Sequence, residues 1–232
     1  MPNKKTELHI HTKMSEMRGL ISPKELVEYA LEHKYDIIAV TDLGSVQAFP
    51  EVYHIWKKHH REFEETNRMA DEGSGSDDFL KIIYGMEAYF IENPDQALTG
   101  DSRKCHPVLL YAANEAGIRN LYRLVSYGRR DPKNGSLEID RSLLAKYREG
   151  LLVGAVCDGG ELSEAIRLKR GDKELSDRAS FYDFIEITPF CESSVLYDNG
   201  EKIYRTCDNM KAMLKKLFLL GKEEQIPVIM AS

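Results

Sequence analysis

The sequence predicts an α/β fold built on a mostly parallel sheet, open or closed into a barrel. Three observations predict it. Strand-like apolar runs alternate with longer helical patterns along the chain. One of those runs, "DIIAVTD", is short and continuously apolar, as strands buried on both faces are. The chain has 232 residues, 42% of them hydrophobic and 30% charged, enough for one sizeable core.

The elements follow in order. "TELHIHT" alternates with period two and reads as a strand. "SPKELVEYALEHK" reads as a helix, with Ser22 as N-cap, Pro23 at the first helical position and Leu26, Val27, Ala30 and Leu31 on one face. "DIIAVTD" is the second strand. "SVQAFPEVYHIWKKHHREFEE" is largely helical, with Pro50 marking a boundary or a kink. "NRMADEGSGSDD" is a polar Gly/Ser-rich loop; a natural insertion and an artificial splice read alike there. "FLKIIYGMEAYFI" is one strand, or two broken at Gly85. "ENPDQALTGDSRK" is a loop and "HPVLLYAA" a strand. "NEAGIRNLYRLVSYG" is an amphipathic helix with Asn114 as cap. A short helix "DRSLLAKY", a strand "GLLVGAV", helices "GGELSEAIRLKR" and "DKELSDRASFY" and a strand "DFIEITP" come next. "NGEKIYRTCDNMKAMLKKLFLLGKEEQ" reads mainly as one long helix, and "IPVIMAS" as a last strand.

Composition narrows the function. The net charge is −6 and the pI about 5.7, which makes an isolated domain a poor binder of duplex nucleic acid, whose affinity rests on Lys and Arg against phosphates. The groups "KKHHR", "RLKR" and "LKK" lie on helices beside acids and read as solvated faces. No cationic segment precedes an apolar one as in a signal peptide, and no apolar run is long enough to span a bilayer, so the expected compartment is the cytoplasm. Cys105, Cys157, Cys191 and Cys207 are scattered and are expected to be reduced. No GxGxxG after a strand, GxxxxGK[ST], GxSxG, CxxC pair or HExxH is present.

In α/β folds of this kind, functional groups gather at strand ends. The polar residues there are His9 and His11, Asp42, Glu87, His106, Cys157, and Glu186 with Thr188. His9 and His11, two apart on a strand, point to one face, and neutral imidazoles suit Zn, Mn or Fe. Glu87 follows "IIYGM", where a carboxylate is costly to bury unless paired or bound to metal, and it could bridge two ions. His106 opens its strand beside Pro107. Cys157 could ligate as thiolate, and Asp42 could bind metal or orient a ligand. Taken singly, each has a bland reading: a half-buried strand His pair, an edge Glu, a surface His, a small apolar Cys, a helix cap. His33, His54, His59 and His60 lie in helical patterns beside Lys and Glu and read as solvated.

The order of residues resembles a known family. "ELHIHTKMS", "IIAVTD", "IIYGMEAYF", "HPVLLYAANEAGIRNLYRLVS", "GLLVGAVCDGGEL", "YDFIEI" and "IPVIMAS" together resemble the PHP (polymerase and histidinol phosphatase) domain, over nearly the whole chain. "AVTD…VQAFPEVY" and "NEAGIRNLYRLVS" point to the polymerase branch, the PHP domain of PolC-type bacterial DNA polymerase III alpha subunits. The resemblance implies a distorted seven-stranded (β/α) barrel, incomplete at its C-terminal end, with up to three metal ions at strand carboxyl ends and phosphoester hydrolysis as the chemistry. It implies His9, His11, Glu87, His106 and Cys157 as ligands of Zn, Mn or Mg, with Asp42 behind them.

Three departures stand out. The family's acidic ligand after the HxH segment falls at Arg18, and the His of its "TDH" motif falls at Leu43. The chain stops at Ser232, ahead of the family's final Asp/Asn-x-His pair, so either it is cut there or those ligands are missing. A leucine cannot ligate, and an arginine among cations repels them. The expectation is an eroded site with reduced metal occupancy and little phosphoesterase activity, in which Arg18 offers its guanidinium to Glu87. The expected organisation is one domain over 1–232, with a flexible insertion near 67–78 and a loop 92–104 near the point where PolC-type chains carry an exonuclease. The expected role is structural support within a replicative polymerase, with its other domains and replisome subunits as partners and DNA reached only through the parent protein. The alternatives are a free-standing metal-dependent phosphoesterase and a non-catalytic phosphate-binding module.

Overall fold

The computed structural model describes residues 5–15, 18–70, 79–91, 105–130, 137–188, 196–198, 201–203 and 207–231. Most of the predicted insertion, the loop 92–104 and Ser232 lie outside them. The chain forms two compact units, Met1–Tyr89 with Leu110–Leu151, and Phe90–Leu109 with Leu152–Ser232.

In the first unit, β1 (Thr6–Ile10) pairs parallel with β2 (Ile37–Val40), and β2 pairs parallel with β3 (Lys81–Ile91) from Ile37↔Lys81 to Val40↔Tyr84. Helix α1 (Pro23–Glu32) starts as its sequence predicts. Ser22 Oγ accepts from Glu25 N, and Glu25 Oε2 accepts from Ser22 N, a reciprocal capping box. Helix α2 (Phe49–Ala70) carries Pro50 in its first turn, where no hydrogen bond is lost, so the proline opens the helix rather than kinking it. The predicted flexible segment is helical through Ala70. Leu26, Val27, Ala30, Ile38, Val40, Ala48, Val52 and Leu80 form the core between these helices and strands; each large side chain there contributes about 1.5–3 kcal/mol by leaving water. His60, expected to be solvated, instead stacks on Trp56 with ring centroids 4.7 Å apart.

Strand β3 is unbroken at Gly85. A Cβ there would meet Leu110 O and Tyr111 Cδ1, both at 2.7 Å, so glycine permits a close backbone approach rather than a break. Gly85→Ala is expected to lower unfolding free energy by about 1–3 kcal/mol, read by urea titration. An unchanged midpoint would mean that the backbone shifts freely at this point.

Strand β4 (Cys105–Ala112) leads to α3 (Glu115–Tyr127), capped by Asn114 Oδ1 on Gly117 N at 3.1 Å as expected. Two strands went unread in the sequence, β5 (Arg129–Arg130) and β6 (Leu137–Asp140), which pair antiparallel; β6 also pairs β3. Asp140 then caps α4 (Arg141–Lys146).

In the second unit, β7 (Leu151–Ala155) pairs parallel with β8 (Phe184–Ile187), and β8 with β11 (Val228–Met230). Helices α5 (Glu161–Arg167) and α6 (Asp172–Ala179) fall where predicted. The long helix does not start at Asn199. A two-stranded antiparallel pair, β9 (Leu196–Asp198) with β10 (Glu201–Ile203), comes first, and α7 (Cys207–Glu223) follows. Helix α7 packs on α5, α6 and β8. Glu161, buried, accepts from Arg178 Nη1 at 2.6 Å and Tyr182 Oη at 2.7 Å, which ties α5 to α6. Among the described residues, no helix is long and apolar enough to cross a membrane.

Candidate metal centre

The centre starts with an irregularity in β1. The register runs Glu7↔Ile38 and then Ile10↔Val40, so β1 carries one residue more than β2 between these points, a bulge. A bulge strands backbone amides. Here Glu7 Oε1 accepts from Leu8 N at 3.1 Å and His9 N at 3.4 Å, Tyr111 Oη donates to Leu8 O at 2.7 Å, and Thr41 Oγ1 accepts from Ile10 N at 3.0 Å. Glu7, Thr41 and Tyr111 thus hold the strand that presents His9 and His11. Sequence reasoning missed all three, since nothing in their local spacing marks a bulge.

Glu87 does not end its strand; β3 runs on to Ile91. Its place is fixed by backbone bonds: Gly44 N donates to Glu87 O at 2.7 Å, and Glu87 N donates to Asp42 O at 3.2 Å. Gly44 sits at φ +57°, a left-handed conformation that suits glycine. Glu87 is therefore level with the carboxyl end of β2, opposite Leu43.

These elements bring His9, His11 and Glu87 together. Glu87 Oε2 is 2.9 Å from His11 Nε2 and 3.6 Å from His9 Nε2, and one donor atom from each residue lies within 4.8 Å of the others. The two imidazoles meet edge to face, 5.1 Å between centroids. Burial pushes the Glu87 carboxyl up, but the hydrogen bonds and charges of His11 and His9 outweigh it and draw it down to about 2. Glu87 therefore holds its negative charge at neutral pH. His11 Nε2 is buried with Glu87 Oε2 beside it. Two imidazole nitrogens and a carboxylate oxygen converging in this way fit a divalent cation.

Asp42 is fully buried and spent on other work. Its Oδ1 accepts from Thr12 N at 2.6 Å and Ser15 Oγ at 2.7 Å, and its Oδ2 accepts from Thr12 Oγ1 at 2.8 Å. Ser15 Oγ in turn accepts from Leu43 N at 2.9 Å. Asp42 therefore neither caps a helix nor touches an imidazole; it anchors the turn that follows His11. Arg18 faces the other side of Glu87, with Nη1 3.9 Å from Oε1 and Nη2 donating to Tyr89 Oη at 2.9 Å.

His106 and Cys157 belong to the second unit. His106 Nδ1 lies 3.2 Å from Gly159 O, and Nε2 lies 3.3 Å from Glu164 Oε2. His106 and Glu164 border a small polar cleft of about 70 Å³ with Arg170 and Arg178. Cys157 is buried, its carbonyl accepting from Ser163 Oγ, and neither it nor Cys105 is in a disulfide. Glu186 is buried on β8.

Comparison with known proteins finds related chains and shared folds. The chain is 30% identical to the PolC-type DNA polymerase III of Clostridium perfringens over 177 residues, 75% of this chain and 12% of that one. It is 33% identical to the Staphylococcus epidermidis PolC-type enzyme over 184 residues, 74% and 12% of the two chains. The chain thus spans about an eighth of the length of these relatives. Among solved structures it is similar in fold to a protein described as a metal-dependent phosphoesterase from Bifidobacterium adolescentis, with TM-score 0.54 and 12% identity over 100% of this chain and 87% of that one. It is likewise similar to an amidohydrolase from Chromobacterium violaceum, with TM-score 0.53 and 12% identity over 98% and 86%. The predicted α/β fold of PHP type is the one shared with these structures. A PHP domain model matches residues 7–187, the span that holds both histidines, Glu87, His106 and Cys157, and by that match the chain belongs to the PHP domain family.

Proposed function

We propose that this chain is the PHP module of a PolC-type bacterial DNA polymerase III alpha subunit, working in the cytoplasm as a supporting domain whose metal site is reduced. One observation carries the reduced-site reading. Glu87 turns Oε2 to the histidine pair and Oε1 to Arg18, so the cation on one side of the carboxylate is the protein's own guanidinium. A bridging carboxylate needs an ion on each side for two-metal hydrolysis; here only the histidine side is open. The two nitrogens of that side favour Zn or Mn over Mg, which prefers oxygen. An ion held there by His9, His11 and Glu87 would supply Lewis acidity, while Arg18 would hold Glu87 in place. His106 and Cys157 remain proposed ligands. Similarity to the PolC-type chains supports the parent assignment, and with it the other polymerase domains and replisome subunits as partners.

Elemental analysis of the purified protein after equilibration with Mn or Zn tests this reading, together with hydrolysis of bis(p-nitrophenyl) phosphate. The expected result is no more than one ion per chain and turnover at background. Three stoichiometric ions with metal-dependent turnover would overturn it and favour the free-standing phosphoesterase, a reading that draws its support from the intact His9, His11 and Glu87 set.

A further inference from the structure

We propose that Tyr89 is a positioning residue for the candidate metal centre: its hydroxyl pins the Arg18 guanidinium beside Glu87 and so sets how tightly the centre takes a divalent cation. The inference rests on the reduced-site reading and names what keeps the site reduced.

Arg18 reaches Glu87 from a turn whose backbone is fixed. Ser15 O accepts from Arg18 N at 3.1 Å and from Gly19 N at 3.3 Å, and Ser15 Oγ donates to the buried carboxylate of Asp42. A Cβ at Gly19 would collide with Thr12 O, so the turn packs close against the segment that follows His11. The Arg18 side chain beyond this turn is long and 46% exposed, and its charge alone does not hold it. Nη1 lies 3.9 Å from Glu87 Oε1, too far for a hydrogen bond, and a half-exposed ion pair at that separation is largely screened by water. Among the described residues, the guanidinium makes one hydrogen bond: Nη2 donates to Tyr89 Oη at 2.9 Å.

Strand geometry places Tyr89 for this role. Met86 and Ala88 are fully buried on one face of β3, and Glu87 and Tyr89 share the other. The planar guanidinium carries Nη1 and Nη2 side by side, so fixing Nη2 on the hydroxyl keeps Nη1 on the side of the carboxylate. A hydrogen bond from a charged donor is about twice as strong as a neutral one, and this one leaves Glu87 Oε2 to the histidines. With Arg18 held there, a cation bound by His9, His11 and Glu87 faces a positive charge across the same carboxylate. Without the hydroxyl, nothing but a screened attraction keeps the guanidinium from solvent, and the repulsion leaves with it.

Tyr89→Phe removes the acceptor and keeps the ring. Titration of the metal-free chain with Mn, with free Mn read by electron paramagnetic resonance, tests the role. Arg18→Ala is expected to tighten Mn binding about fivefold and Tyr89→Phe to tighten it by a similar factor. The double variant should bind no more tightly than Arg18→Ala, because Tyr89 acts through Arg18. Tyr89→Leu serves as a second variant should Tyr89→Phe lose its circular-dichroism signature. Tighter binding in Arg18→Ala with unaltered binding in folded Tyr89→Phe would overturn the positioning role and leave the reduced-site reading standing. Unaltered binding in Arg18→Ala would sink that reading and the proposal together. A further gain from Tyr89→Phe on the Arg18→Ala background would also overturn the proposal, since a hydroxyl acting through Arg18 has no effect once Arg18 is gone.

Discussion

Asp42→Ala is expected to lower the unfolding free energy by about 3–5 kcal/mol. The carboxylate is fully buried and takes three donors, from Thr12 N, Thr12 Oγ1 and Ser15 Oγ. Thr12 and Ser15 are themselves fully buried, so water cannot replace the lost acceptor without entering the core. Each orphaned donor costs about 1–3 kcal/mol, and the cavity adds to that. With a urea slope of about 2 kcal/mol/M, the midpoint falls by about 2 M. Trp56, the one tryptophan of the chain, belongs to the same unit and reports the transition. Asp42→Asn keeps one acceptor and should fall between the two. A loss below about 1 kcal/mol for Asp42→Ala would show that the turn after His11 holds itself, and that Asp42 is not its anchor.

Arg18→Asp combined with Leu43→His is expected to raise the divalent-metal content of the protein. Arg18 supplies the positive charge at Glu87 Oε1, and Leu43 sits opposite Glu87 across the bridge from β2. Removing the guanidinium vacates that side of the carboxylate. The new Asp adds an oxygen ligand and the new His a nitrogen ligand, the donor types that the family resemblance implies at these two positions. Two close cations repel unless anions are interposed, so the acidic replacement matters more than the loss of charge alone; Arg18→Ala should have the smaller effect. Elemental analysis should show more ions per chain in the double variant than in the unaltered protein, and bis(p-nitrophenyl) phosphate hydrolysis should rise at least tenfold with Mn or Zn, a barrier change of about 1.4 kcal/mol. An unchanged ion count in a folded double variant would mean that the site is limited elsewhere, and that Arg18 is not the substitute for an ion.

Local signals made several elements legible in the sequence. Ser22, Pro23 and Glu25 announce α1 because capping is chemistry among neighbours in the chain. Asn114 does the same for α3. The continuous apolar run Ile37–Val40 reads correctly as an inner strand because its burial on both faces leaves no polar alternation. The short strands β5, β6, β9 and β10 did not read: "RR", "LEID", "LYD" and "EKI" carry no apolar run like Ile37–Val40, and each owes its conformation to its partner. Whether the run was one strand or two broken at Gly85 stayed open in the sequence for the same reason. Its absent Cβ is a response to Leu110 and Tyr111, and neither is near it in the chain.

The candidate site divides along the same line. By itself, the sequence determined that His9 and His11 share a strand face and that a carboxylate follows an apolar run at Glu87, because residue identity and period-two geometry are local. That Arg18 and Leu43 stand at ligand positions is what the family resemblance implies. Only the tertiary structure decided that Glu87 meets both imidazoles with one oxygen and Arg18 with the other. It alone showed that Asp42 accepts from Thr12 and Ser15 and so anchors the turn after His11, and that Glu7, Thr41 and Tyr111 support a bulge beneath the histidines. Those contacts join residues far apart in the chain, and their distances follow from strand register and packing, which no local pattern of residues encodes.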